Sequence, residues 1–474
     1  MYNTICSILS EINSLLWGDF SLILVICAAA FLSFRCKFFY ILHPVKLLKY
    51  TLFSKKVDNN KNSGSLTNFQ TLTTALAASM GTGNIIGVAA AISVGGAGAV
   101  FWMIVSAFLV MSFAFTENIL ATLYKNRSQN SDSAGPLLYI DSAFGSNRVS
   151  GIFSAVCIAA SFVIGNITQV NSAAASLDNF NVPTYICGIV FAILTAVAVL
   201  GTRTNIAKIT EKLVPFAALF YISGSALILL IYKDNISNIL TNIFSSAFGL
   251  KQISGGVLGC ALSKTISVGV RRGLFSNEAG MGTSTFAHTS SDCKNPTVMG
   301  CWAALEVFID TVLLCTLTAL VILCTGADKL NLFGADTVIA AFKNGFGKLP
   351  FSLPFLPEIT GTTLPELSIF FSETGGIFLA ASNSVFAFAS VIGWFFYGER
   401  SCTFLEKRSH VKLLPAYKFF YVAAVFLGAS INADIVWQLA DVFTFLMLIP
   451  NLSAILLLSD LIKPYISVSS LKNQ

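Results

Sequence analysis

Eleven apolar runs, each close to the length of a membrane crossing, dominate this chain. A helix needs about 20 apolar residues to cross the hydrocarbon core of a bilayer. Runs of that kind lie near residues 19–42, 69–92, 101–124, 151–177, 183–200, 213–232, 253–273, 298–325, 375–397, 413–431 and 435–461. The 474 residues are 55% hydrophobic and 11% charged, whereas a soluble domain carries roughly 25% charged residues. With a mean hydropathy of +0.76, the chain has too little polar surface to wrap a large soluble core. The net charge of +6 does not indicate nucleic acid, because the basic residues sit in short segments between apolar runs rather than along a phosphate-tracking groove. The expected fold class is an all-α integral membrane protein of about eleven transmembrane helices.

Charge sets the orientation. Glu11 and Asp19 precede or open the first run, no lysine or arginine comes before it, and Arg35 and Lys37 follow it. That is the pattern of a retained helix with its N-terminus outside, not of a cleaved signal. With that start, 23 lysines and arginines fall in inner segments and 5 in outer ones, which places the C-terminus in the cytoplasm. The count assigns Arg271 and Arg272 to an inner segment. The stretch 326–371, with PFLPEITGTTLPE at its centre, reads as a long outer loop forming a cap with a short interfacial helix.

Catalytic and metal chemistry find no purchase. None of the eleven cysteines forms a CxxC pair, and His43, His288 and His410 lie far apart without ligand spacing. Most cysteines lie in apolar runs and read as small buried hydrophobes. No nucleophile elbow, phosphate loop or metalloprotease helix is present, so an enzyme is not expected.

Two runs are interrupted. The second carries Gly81-Thr82-Gly83-Asn84 in mid-span, then Gly87. The seventh leads into a stretch, 267–282, that holds four glycines, Arg271, Arg272 and Glu278. Glycines alone also serve close helix packing, but polar and charged residues among them weaken a helix whose freed backbone groups must then find partners in lipid. The two runs are the first and sixth of a ten-helix set. Five is odd, so the second half enters the membrane with opposite topology. Matching interruptions in inverted halves point to a substrate site near mid-membrane. There, half-helix N-termini face a carboxylate and half-helix C-termini offer carbonyls to a cation. The chain thus reads as one extra N-terminal helix plus a 5+5 inverted repeat with two discontinuous helices. Its expected parts are 1–68 (N-terminal helix and cytoplasmic linker), 69–232 (first repeat), 233–462 (second repeat, including the outer loop 326–371) and 463–474 (cytoplasmic tail).

Other polar residues fall within the runs. Ser161, Gly165, Thr168, Gln169 and Ser172 share one helical face, flanked by Asn166 and Asn171, and such a stripe either joins helices or lines a pathway. Ser382, Asn383, Ser384 and Ser390 precede Trp394; their hydroxyls either complete a cation site or bond back to the preceding turn. Glu117, Glu306, Asp310, Asp441 and Lys264 are charged groups in or near spans and functional suspects for that reason.

At this point the sequence resembles the alanine or glycine:cation symporter family. FQTLTTALAASMGTGNIIGVAAAISVGGAGAVFWM (69–103) and RGLFSNEAGMGTS (272–284) carry most of the resemblance. GPLLYI, IGNITQVNS, KITEKLVPF, FIDTVLLCTLTAL, FAFASVIGWFFYGE and LADVFTFLMLIPNLSAILLL extend it over most of the chain. The resemblance implies the ten-helix inverted-repeat fold of the amino acid–polyamine–organocation superfamily. It further implies uptake of alanine or glycine coupled to sodium, or in some members to protons, across the plasma (cytoplasmic) membrane. By position, Thr82, Gly83 and Asn84 would meet the substrate carboxylate, Gln169 and Asn277 would add polar contacts, and Phe275 and Trp394 would shape a small apolar pocket. The carbonyls of Ala77 and Met80 would join the Ser390 hydroxyl on sodium. The family commonly has a serine and a threonine where this chain has Ala389 and Ser390, which removes one hydroxyl near that ion. The implied partners are a small amino acid and membrane lipid, and no nucleic acid. The alternatives are a proton-coupled permease of the same fold, or a channel, since filters also use broken helices.

Overall fold

The structure, a computed structural model, describes residues 2–53, 66–128, 135–201, 203–249, 258–352, 360 and 362–467. The start of the seventh run, part of the 326–371 stretch and the end of the C-terminal tail lie outside them. Among the described residues there is no strand, only an isolated bridge between Leu66 and Ser291.

The principal helices, in chain order, are α1 (Tyr2–Leu16), α2 (Asp19–Arg35), α3 (Asn68–Ser79), α4 (Ile86–Gly95) and α5 (Gly98–Arg127). They continue with α6 (Asn147–Asp178), α7 (Thr184–Val199), α8 (Arg203–Ile231), α9 (Lys233–Ala247) and α10 (Leu258–Asn277). The remainder are α11 (Pro296–Cys324), α12 (Ala335–Gly347), α13 (Leu364–Ser409), α14 (Leu414–Gly428) and α15 (Ala433–Leu457). Of these, α5, α6, α8, α11, α13 and α15 are long and apolar enough to cross a membrane, and the bent pairs α1/α2 and α3/α4 raise the number to as many as 8. The α3/α4 bend is 61° and the α1/α2 bend 44°. Two shorter apolar helices are α7 and α14.

Several boundaries differ from the sequence reading. The first run does not continue to residue 42: α2 stops at Arg35, and Lys37 and Phe38 take left-handed backbone angles (φ 51° and 48°) that end it. The 375–397 run is the middle of the 46-residue α13, which starts earlier because Thr363 and Glu366 form a capping box and Pro365 sits in its first turn. The 326–371 stretch, expected to form a cap with a short helix, contains α12 and also the first two turns of α13. α9 was missed because it mixes polar and apolar residues and never forms a 20-residue apolar run. Arg271 and Arg272 lie within α10 rather than in the connection after it. Lys264 is exposed on the surface of α10, so it is no buried amine.

The interior is organised around the broken pair. α3 packs against α8 and α13, α4 against α10, and α5 against both α10 and α11. One close crossing is at Gly393 of α13, where a Cβ would sit 2.6 Å from the main-chain nitrogen of Ala78. No flexible side chain can yield there. Gly393→Ala should therefore lower stability by about 1–3 kcal/mol. Gly151→Ala, whose added carbon meets nothing within 4 Å, should not. Thermal unfolding midpoints of the two purified variants in detergent check this.

Candidate functional site

The first break follows from glycine and from a diverted hydrogen bond. α3 starts on a capping box between Thr67 and Gln70 and closes normally up to Met80, whose N–H reaches Leu76 O at 2.7 Å. The Gly81 N–H then bonds Ser79 O at 2.7 Å, so the Ala77 carbonyl loses its regular partner. A single 3₁₀ turn, Thr82–Asn84, follows before α4 begins. At Gly81 a Cβ would lie 2.5 Å from Gln169 Oε1 and 3.0 Å from Ser390 Oγ, so a side chain there would displace the Gln169 amide from Thr82. At Gly83 it would press on the Phe275 ring at 3.3 Å.

Side chains from three other helices satisfy the opened turn. The Thr82 N–H and hydroxyl both donate to Gln169 Oε1, at 2.9 and 3.1 Å. Gln169 Nε2 donates to Ile164 O at 3.0 Å, across a π turn at Val163–Ile167 of α6. Asn84 Nδ2 donates to the Asp310 carboxylate at 2.8 Å and to its carbonyl at 2.9 Å, while the Thr318 hydroxyl donates to Asn84 O at 2.8 Å. Asp310 also lies in a π segment, Phe308–Cys315 of α11. Ser390 of α13 donates to the Ala78 carbonyl at 2.7 Å.

The second break runs from Glu278 to Gly282. Glu278, Gly280 and Gly282 all have positive φ (55°, 84° and 76°), which ends α10 at Asn277, and a short helix resumes at Ser284–His288. Ser276 donates to Asp310 Oδ2 at 2.8 Å and Asn277 Nδ2 to Thr311 Oγ1 at 3.1 Å. Asn277 Oδ1 accepts from the Ala279 N–H at 3.0 Å. Glu278 accepts from Trp394 Nε1 at 2.7 Å and from Thr283 at 2.9 Å. Glu117 of α5 accepts from the Gly282 N–H at 3.2 Å and from Asn451 Nδ2 at 2.8 Å. Asn451 also donates to Gly280 O at 2.7 Å and accepts from the Tyr139 hydroxyl.

The residues expected from the sequence fall around these two breaks in distinct positions. Thr82 and Gln169 bond directly, and Gly83 faces Phe275. Phe275 packs on Trp437 with ring centroids 5.2 Å apart. Asn84 and Asn277 are held by Asp310 and its neighbour Thr311, while Trp394 lies on the Glu278 side against Gly165. Ser390 reaches the α3 terminus at Ala78, between Ala77 and Met80. Asp310, Glu278, Ser276 and Thr311 are central here yet were not placed in the site by sequence. The signal available was the carboxylate of Asp310 in the middle of an apolar run, but a run does not say which neighbour it faces.

The polar stripe on α6 is split by its π turn. Asn166 donates to Tyr421 O at 2.8 Å, and Asn171 to Ile431 O at 2.5 Å, so these two join α6 to α14 and the turn that follows it. Only Gln169 reaches the break. Ser382 and Ser384 bond back to the carbonyls of Phe378 and Ala380. Asp441 is paired, with Arg272 at 3.4 Å, and that guanidinium also lies 5.2 Å from the Trp437 ring centre.

Interrupted apolar helices whose breaks meet in a buried polar centre are the build of secondary transporters as a class. The model of the sodium:alanine symporter family matches residues 2–356 and 358–469. The sodium/alanine symporter AgcS of Methanococcus maripaludis is 35% identical over 463 residues, covering 96% of this chain and 95% of that one. The probable sodium/glutamine symporter GlnT of Bacillus subtilis is 32% identical, covering 95% and 87%. The putative sodium/proton-dependent alanine carrier YrbD of the same species is 30% identical, covering 95% and 89%. The chain belongs to the sodium:alanine symporter family, and is a multi-pass membrane protein.

Gln169→Ala should leave the buried N–H and hydroxyl of Thr82 without an acceptor, a loss of about 1–3 kcal/mol. Ser172→Ala removes a hydroxyl that has no hydrogen-bond partner and should cost far less. Chemical or thermal unfolding of both variants distinguishes them, and equal small effects would contradict the role given to Gln169.

Proposed function

We propose that this protein takes up a small neutral amino acid, alanine or glycine, together with sodium, by alternating access across the cytoplasmic membrane. The observation that carries this reading is a reciprocal clasp. The helix after each broken helix sends a buried acid to the break of the other half: Glu117 of α5 to Gly282, and Asp310 of α11 to Asn84. That exchange supports two inverted halves, 69–232 and 233–462, and eleven crossings. These are the eight spans above, the shorter α7 and α14, and α10, whose arginines mask its apolar character. The N-terminus is then outside and the C-terminus inside.

The amino-acid carboxylate is read as binding the opened turn at Thr82, Gly83 and Asn84. Gln169 Oε1 already occupies the acceptor position on Thr82 that a carboxylate oxygen would take. Asn277 contributes a further polar contact, and Phe275 and Trp394 limit the volume to a small side chain. Sodium is assigned to the α3 terminus, on carbonyls of Ala77 and Met80 and the Ser390 hydroxyl. The relatives named for sodium/alanine and sodium/glutamine symport support the class of substrate and the ion.

A second reading, proton coupling, is favoured by the carboxylates of Glu278 and Asp310 beside the breaks and by the relative named sodium/proton-dependent. Uptake of radiolabelled alanine into proteoliposomes, with sodium gradient and membrane potential set separately, tests both. Uptake should follow the sodium gradient; uptake that survives sodium removal but collapses with a protonophore would favour protons.

Two variants sharpen the assignment. Gly83→Leu should abolish uptake while the protein still purifies as a single species, and normal uptake would remove the turn from the site. Ser390→Ala should raise the sodium concentration for half-maximal uptake several-fold, and Ala389→Thr, which adds a hydroxyl one residue away, should lower it. Sodium titrations that leave both unchanged would contradict the ion assignment.

A further inference from the structure

The two shorter apolar helices, α7 and α14, are held together at two points. At one end Gly188 lets them touch, since a Cβ there would lie 2.8 Å from Phe426 O. At the other, Lys418 Nζ donates to Val199 O at 2.9 Å. Between these points the facing side chains are small, Ala192 and Ala196 on α7 and Ala423 on α14, and the helices leave an open groove of about 670 Å³. Its rims stand well out, with Ile193 59% and Phe419 70% exposed. Among the described residues that line the groove, every side chain is apolar except that of Lys418.

The length of the groove and its single charge say what fits. From Ile189 to Leu200, both in its lining, α7 rises about 16 Å. The hydrocarbon core of a bilayer is about 30 Å thick, so the groove is one leaflet deep. Lys418 lies at its end, at the start of the second turn of α14 and beside the last residue of α7, which is headgroup level. One of the three ammonium donors goes to a neutral carbonyl. No carboxylate among the described residues forms an ion pair with it. An unpaired cation at the end of an apolar groove is matched by an amphiphile with a negative head and a hydrocarbon tail. A zwitterionic head brings its own cation and gains less.

We infer that the groove between α7 and α14 binds an anionic phospholipid, with one acyl chain along Ala192, Ala196 and Ala423 and the phosphate on Lys418. On the orientation proposed above, that end faces the cytoplasm, where basic pockets between helices collect anionic headgroups. The binding itself depends neither on the orientation nor on what is transported. The lipid also braces the interior from behind. Tyr421 of α14 accepts from Asn166 of the α6 π turn at 2.8 Å through its carbonyl, and its hydroxyl donates at 2.8 Å to the carbonyl of Val391, next to Ser390. A tail against Val422 and Ala423, both in the groove lining, steadies the helix that makes both contacts.

The test uses purified, delipidated protein in detergent. Phosphatidylglycerol and phosphatidylcholine with identical chains are titrated in, bound lipid is counted by native mass spectrometry, and unfolding midpoints are recorded. The expected result is one tightly held phosphatidylglycerol per chain, preferred over phosphatidylcholine roughly fivefold, the worth of one lysine at an anionic surface, with the larger rise in midpoint. Lys418→Gln should bring phosphatidylglycerol down to the level of phosphatidylcholine, and Lys418→Arg should keep the preference. Ala196→Phe, which fills the groove, should weaken both lipids alike. Equal binding of the two lipids by the wild type, or a preference that Lys418→Gln leaves intact, overturns the site. So does a wild-type dimer that Ala196→Phe splits into monomers, because a second copy of the chain then covers the groove. If Lys418→Gln does not purify as a single species, Ala196→Phe decides, and unchanged lipid binding by it overturns the site. Each measurement is made without transport, so its outcome leaves the symport reading untouched.

Discussion

A helix interrupted inside hydrocarbon exposes N–H and C=O groups where no water can reach them, and each must be satisfied by protein. That requirement, imposed twice in this chain, accounts for the polar residues gathered around the two breaks. Gln169, Asn84 with Asp310, Thr318 and Ser390 discharge it at the first break; Glu117, Asn451 and Asn277 discharge it at the second. The glycines are needed because these partners come too close for a side chain, as at Gly81. The π turns on α6 and α11 follow from the same demand. An extra residue in a turn re-aims a side chain, and Gln169 and Asp310 are the side chains re-aimed.

The way the partners are shared bears on motion. On the proposed division into two halves, neither break is satisfied from within its own half alone. Asp310 serves Asn84 across the halves and Glu117 serves Gly282 in return, while α13 contributes both Ser390 to the first break and Trp394 to the Glu278 side of the second. On that division, a rocking of one half against the other would have to exchange these contacts. On the proposed reading, the amino acid and its cation are what replace them, so that a filled site moves more easily than an empty one. Coupling then needs no relay through the protein, because ligand and ion act on the same few backbone groups.

Much of this was legible in the sequence because it is local. Gly81-Thr82-Gly83-Asn84 and the stretch through Gly282 announce broken helices by residue type, and the apolar runs announce the spans. What escaped is set by neighbours. Lys233–Ala247 is a helix whose apolar face is too narrow to register as a run. Asn166 and Asn171 share a stretch with Gln169, yet the π turn sends them to carbonyls of α14 and the turn beyond it. Lys264 lies in an apolar segment but on its outer surface. Asp310 was visible as an anomaly, and only packing shows that it stands between two broken helices. Single-residue chemistry is readable in one dimension, whereas pairings across more than 200 residues, such as Asn84 with Asp310, are not.

The central claim is that the two breaks together form the place where the amino acid binds. An experimental structure of the purified protein with alanine and sodium, at a resolution that separates the carboxylate from the methyl group, tests it most directly. The expected result is density for alanine with its carboxylate on the turn Thr82–Asn84 and its methyl group toward Phe275, both breaks remaining open. Alanine bound elsewhere, or a continuous helix through Gly81–Asn84 in the bound state, would contradict it.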